Sequence, residues 1–163
     1  MKPSLVVLSV AVLLAAVPAS RLFAASASAV GPPREIVFYG HIKSLAHKGR
    51  RFEMRVDPAW WLQGVTAQRA AVEDKVIRAG EPVPNDYYIV DESHRLLTYL
   101  APATAHVTVL TRGVSSTAIP VSELAQIVKG KNPKHRQLLE PKAGFWIRVA
   151  TDTVRTADQQ YQP

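Results

Sequence analysis

Two carboxylates and an imidazole fall within four residues at Asp91, Glu92 and His94. Such a set can hold a divalent metal, or act as an acid and base pair where a neighbour raises one carboxyl pKa. The same residue types also suit the polar tip of a hairpin, because Asp, Ser and His satisfy turn geometry. His41, His47, His106 and His135 are too scattered in sequence to argue as ligands. No G-x-S-x-G elbow, H-E-x-x-H helix or S-x-x-K pair is present, the chain has no Cys, and its 8 glycines form no phosphate-cradling group. No catalytic residue, no metal site and no cofactor is therefore assigned.

Two other groupings suit binding rather than turnover. Asn85-Asp86-Tyr87-Tyr88 leaves the stiff Glu81-Pro82-Val83-Pro84 segment and can present an amide, a carboxylate and a phenol. In a strand the two tyrosines point to opposite faces, so one of them, taken as Tyr88, shares a face with the polar pair. Trp60 and Trp61 offer flat apolar rings of the kind that stack on sugars or peptides. Trp60, Trp61, Asn85, Asp86 and Tyr88 are thus the candidate ligand- or partner-binding residues, although a Trp pair also commonly places one ring in the core.

The elements that must position these residues follow from periodicity. From Ile36 the chain alternates, with Phe38, Gly40 and Ile42 on one side and Val37, Tyr39 and His41 on the other. After a turn at Gly49, Phe52, Met54 and Val56 alternate with Arg51, Glu53 and Arg55. This reads as a hairpin with one wet face, ended by Asp57-Pro58. Thr66 as N-cap, Ala67, Ala70, Ala71 and Ile77 at helical spacing, and Gly80 as the stop predict a helix. A second hairpin is expected over 87–100, a strand over 106–111 and a loop over 112–117. A short helix should follow, capped by Ser122, with Leu124, Ile127 and Val128 inward. A basic loop spans 131–143, with a strand over 145–150 and a polar tail from Thr153. The expected fold is α+β, a small mainly antiparallel sheet or partly closed barrel of about six strands with two short helices.

The first 29 residues read as an address. Lys2 precedes an apolar run over 5–17, Pro18 ends it, and small residues follow at 24–29. That order is a signal peptide, cleaved somewhere after residues 24 to 29, and about 13 apolar residues are too few for the roughly 20 of a membrane span. Residues 30–163 then form a single secreted or periplasmic domain with no transmembrane segment and no disulfide. Lys2 and Arg21 leave with the leader, so 18 basic residues face 13 acidic ones, a net charge of about +5. Export argues against nucleic acid, and the dispersed charge suits weak attraction to anionic envelope polymers.

Several motifs recur in order along the chain: Gly40 and Ile42, Asp57, Trp61-Leu62 with Gly64, Thr66-Ala67 with Ala70-Ala71 and Glu73-Asp74, and the P-N-D-Y-Y-I run from Pro84 to Ile89. Arg95-Leu96 with Thr98, the F-W-I-R-V run from Phe145 to Val149, Asp152, Val154, and Gln160-Tyr161 with Pro163 complete the series. In these the sequence resembles an uncharacterised family of small exported bacterial proteins, often lipoproteins. The chain departs from it at 91–94, at Asp158-Gln159 and at Lys75, where the family usually carries glycine. The resemblance implies one exported domain and supplies no mechanism.

The expected function is a non-enzymatic binding or interaction module of the bacterial cell envelope, taking an envelope protein, peptide or glycan. A small Asp/Glu–His hydrolase or transferase, or a structural accessory subunit of an envelope complex, are the alternatives.

Overall fold

The first strand, β1 (Glu35–Lys48), changes face part-way along. A bulge between Ile42 and Ser44 shifts its register against β2 (Arg51–Gln63). Before the bulge, Phe38 and Ile42 pack on the main core while Tyr39 is buried on the other side; after it, Leu45 enters the core. An inserted residue does this to any strand, because side chains alternate with a period of two. The computed structural model describes residues 34–92, 95–140 and 142–162. The leader, His94 and Pro163 lie outside the described residues.

Phe52, Met54 and Val56 of β2 are buried and Arg51 and Arg55 are exposed, as their alternation requires. β2 does not end at Asp57-Pro58. It has two successive partners on its second side: β4 (Leu97–Pro102) pairs with 51–56 and β3 (Tyr87–Val90) with 60–63. The register leaves 57–59 without a partner on that side, so Pro58, which has no N–H to give, interrupts nothing there. The expected 87–100 hairpin is corrected by the same pairing. β3 and β4 lie end to end along β2 instead of on each other, because a 13-residue strand is long enough for both.

β7 (Phe145–Ala150) pairs with β1, and β8 (Thr153–Gln159) pairs with β7. β4 meets β8 in parallel through Leu100 and Thr153, and the Leu100 N–H donates to the Asp152 carbonyl at 2.9 Å. This contact closes a five-stranded barrel, β1-β2-β4-β8-β7. β5 (His106–Thr111) runs parallel to β8 beyond it and forms a hairpin with β6 (Ser115–Ala118). The supposed polar tail is therefore a barrel strand, and the supposed 112–117 loop holds a strand. The result is α+β and mainly antiparallel, with eight strands described rather than six.

Helix α2 (Val121–Val128) packs on this barrel. Its Val121, Leu124 and Ile127 join Leu45, Met54, Val107, Ile147 and Val154 in one buried cluster. Each such side chain contributes roughly 1.5–3 kcal/mol by leaving water. Ser122 lies inside this helix, and Pro120 occupies the cap position. Helix α1 (Gly64–Glu73) buries Ala67 and Ala71 and starts from Gln63, so Thr66 is not its cap. It stops well before Gly80, because Lys75 turns the chain at φ +60°. Among the described residues no helix is long and apolar enough to cross a membrane.

Candidate functional site

Four aromatic rings from distant parts of the chain meet on the outer side of the β1–β2–β7 sheet. Trp61 stacks on Tyr87 at 4.1 Å between centroids, with 18° between planes. The two are diagonal neighbours in the β2–β3 ladder, where Trp61 is opposite Ile89, a spacing that large rings can span. Tyr39 meets Trp61 and Trp146 edge to face at 5.1 and 5.5 Å, the arrangement that ring quadrupoles favour.

The C-terminal segment supplies the polar partners of this cluster. The Gln162 amide donates to the Tyr39 hydroxyl, and Trp146 Nε1–H donates to Gln160 Oε1 at 3.1 Å. Burial pushes the Tyr39 phenol above its ordinary pKa, against the opposing pull of hydrogen bonds from the Gly144 backbone and Gln162. Buried among rings and hydrogen-bonded through its hydroxyl, Tyr39 serves as a packing group.

The five candidate binding residues divide between support and display. Trp61 is committed to the stack. Tyr88 is tied down too: its hydroxyl donates to Asp74 Oδ2 at 2.9 Å, joining β3 to the end of α1, and burial followed by this contact raises its pKa. Asn85 and Asp86 form an exposed 3-10 turn in which both residues have φ near +60°, a conformation Asn and Asp tolerate better than most. Trp60 is 69% exposed and sits opposite Val90, two ladder positions from the Leu62–Tyr88 pair. Tyr39, Tyr87 and Trp146, which hold Trp61, carry no local signal that singles them out. Their convergence depends on the bulge in β1 and on the split pairing of β2. Asp91 and Glu92 are exposed, and no group of three or more His, Cys, Asp or Glu side chains placed to hold a metal occurs among the described residues.

A second surface was not legible in the sequence. A cleft of about 1090 Å³ lies between His41–Lys43 of β1, the second half of α2 and the loop running from Gly130 to Ala143. Ile42, Val128 and Leu138, all half-buried, line it together with Lys43, Lys131, Arg136, Lys142 and one acid, Glu140. Asn132 shapes the loop by donating to the Arg136 carbonyl at 2.6 Å and accepting from its N–H at 2.9 Å. Buried Gln159 holds the far end. It accepts from the Leu110 N–H at 2.7 Å and donates to the Leu139 and Glu140 carbonyls at 3.2 and 2.7 Å.

Glu123 anchors the same loop from α2. Its carboxylate is 5% exposed and receives Arg136 and Lys134, the latter at 3.0 Å. The Arg136 hydrogen bond, outweighing burial, holds the Glu123 carboxyl below its ordinary pKa. A carboxyl that binds its proton less tightly when folded contributes stability above the unfolded value, about 4.3 for Glu. That contribution disappears as pH falls through the lower folded value. Glu123→Gln is expected to lower the melting temperature at pH 7 and to flatten its fall on acidification below about pH 4.3. Parallel acid limbs for the two proteins in a pH series of thermal melts would show that this ion pair does not carry the dependence.

Comparison of the chain with protein-family models, curated proteins and solved structures finds no match.

Proposed function

We propose that the chain is a non-enzymatic binding or interaction domain of the bacterial cell envelope, exported by its N-terminal leader, cleaved between Ala24 and Ala29, and presenting Trp60 with Asn85 and Asp86 to a protein, peptide or glycan partner. The observation that carries this reading is the contrast between adjacent tryptophans. Trp61 is packed among aromatic rings, whereas the Trp60 indole is left 69% exposed on a strand that is held at that position by pairing with β3. An exposed, rigidly mounted aromatic loses little entropy on binding and is the residue type that dominates interfaces. In this reading Trp61 and Tyr88 are supports, fixing β3 and hence the Asn85–Asp86 turn. The Greek-key barrel class that includes OB-folds is widely used as a ligand scaffold. That fold-level analogy supports binding as a class and names no ligand.

The test is capture of a partner from the envelope fraction by the purified exported protein and by its Trp60→Ala, Asn85→Ala and Tyr88→Ala variants, after each is shown to melt normally. Trp60→Ala should cost less than about 1 kcal/mol of stability and weaken capture by about 30-fold, the scale of an interface hot spot. Inert variants, together with a measurable turnover abolished by Asp91→Ala or His94→Ala, would establish the enzyme alternative instead. Mass spectrometry of the exported form checks the address: a product retaining residues 1–30 would refute cleavage.

A further inference from the structure

The basic cleft beside α2 is lined by none of Trp60, Asn85 and Asp86 and has its own chemistry. Well-packed proteins leave few voids larger than a water beside apolar side chains. Here about 1090 Å³ opens over Ile42, Val128 and Leu138, just above the roughly 300–1,000 Å³ typical of pockets for small organic ligands.

The charges on its wall are unequally committed. Lys43 pairs with Asp57 at 3.0 Å and Arg136 is held by Glu123. Among the described residues no carboxylate pairs with Lys131 or Lys142, both exposed on the rim, and the one acid lining the cleft is Glu140. An apolar floor with two uncommitted ammonium groups at its edge is complementary to a molecule that is apolar along its length and anionic at one end. Ammonium groups act as point charges, with no preference for a planar head.

We propose that this cleft binds a single-chain amphipathic anion, its chain against Ile42, Val128 and Leu138 and its head between Lys131 and Lys142. The occupant is a free amphiphile, because the apolar contacts lie within the cleft, between strand, helix and loop, and not on a flat outer face.

Calorimetric titration of the purified protein with monomeric dodecanoate tests this. Saturable one-to-one binding is expected, with dodecyl phosphate behaving similarly, acetate at least about 100-fold weaker for want of an apolar chain, and dodecyltrimethylammonium not binding. Lys131→Glu/Lys142→Glu should weaken dodecanoate by about tenfold or more, while the charge-conserving Lys131→Arg/Lys142→Arg retains it. Leu138→Asn should weaken it independently, and Trp60→Ala should leave it unchanged, which separates this site from the partner surface. Non-saturating binding, equal affinity for the cationic amphiphile, or indifference to the double charge reversal would overturn the proposal. So would binding only to vesicles of anionic phospholipid, since that would make the basic rim a membrane contact.

Discussion

Met54→Asp is expected to abolish the folded state at room temperature, whereas Glu53→Lys, one residue away, changes stability by less than about 1 kcal/mol. Met54 is fully buried at the centre of the barrel cluster, between Phe52 and Val56 on the same face of β2. Replacing it by a shorter carboxyl side chain removes apolar contacts, at about 2–5 kcal/mol for a large-to-small core change. It also buries a polar group without partners, at about 1–3 kcal/mol more. The sum is comparable to the whole stability of a domain this size, about 5–15 kcal/mol.

Glu53 faces outward and its ion pair to Lys48, at 2.6 Å, is solvated. Met54→Leu, which conserves volume, should cost less than about 1.5 kcal/mol and shows that shape at this site is tolerated. Thermal and urea unfolding of the three variants checks the prediction. Comparable losses for Met54→Asp and Glu53→Lys would mean that the strand faces the other way.

The face assignment of β2 was readable from sequence because every alternate residue there is unambiguously apolar or charged. Other features were not, for identifiable reasons. β8 reads as a tail in the sequence because Thr153, Arg155, Thr156, Asp158 and Gln159 make it polar, although Val154 and Ala157 are fully buried and close the barrel. Its parallel contacts with β4 and β5 depend on residues some fifty positions away, and no local pattern encodes a partner at that distance.

The site was half legible for a similar reason. Composition marks Trp60, Trp61 and the Asn85–Tyr88 segment as unusual; β2–β3 pairing brings Trp61 and Leu62 against Tyr87 and Tyr88, with Trp60 opposite Val90 at one end of the ladder and the Asn85–Asp86 turn beyond the other. Which indole is displayed and which tyrosine stacks depends on the register. Here Tyr87 meets Trp61, while Tyr88 turns to Asp74. The cleft was invisible because its walls come from β1, α2 and the 130–143 loop, and that loop reads as solvated basic chain until Glu123 and Gln159 are seen to hold it.

Gly144→Ala is expected to destabilise the domain by about 3 kcal/mol, the upper part of the range for overpacking, and to loosen the aromatic cluster. A Cβ at Gly144 would lie 2.7 Å from Tyr39 Cε2 and closer still to its Cζ and hydroxyl. The tyrosine has nowhere to retreat. It is 1% exposed, boxed by Trp61 and Trp146, and its hydroxyl is engaged by Gln162. Backbone movement at Gly144 is opposed as well, because its carbonyl accepts from the Gln160 N–H at 2.9 Å and so ties β7 to the C-terminal segment. The strain should therefore release through the C-terminal segment and the Trp61–Tyr87 stack, loosening β3. That gives a signature beyond a lower melting temperature: a change in near-ultraviolet circular dichroism from the coupled rings, with the far-ultraviolet spectrum of the barrel little altered. Tyr39→Phe should not rescue the variant, since the ring carbon still clashes. Tyr39→Ala/Gly144→Ala should be less destabilised than the sum of its single changes, because the two residues act on the same space. Strict additivity in that double-mutant cycle, or a Gly144→Ala melt within about 0.5 kcal/mol of the parent, the scatter of ordinary surface changes, would show that Tyr39 does not occupy the position that organises this face.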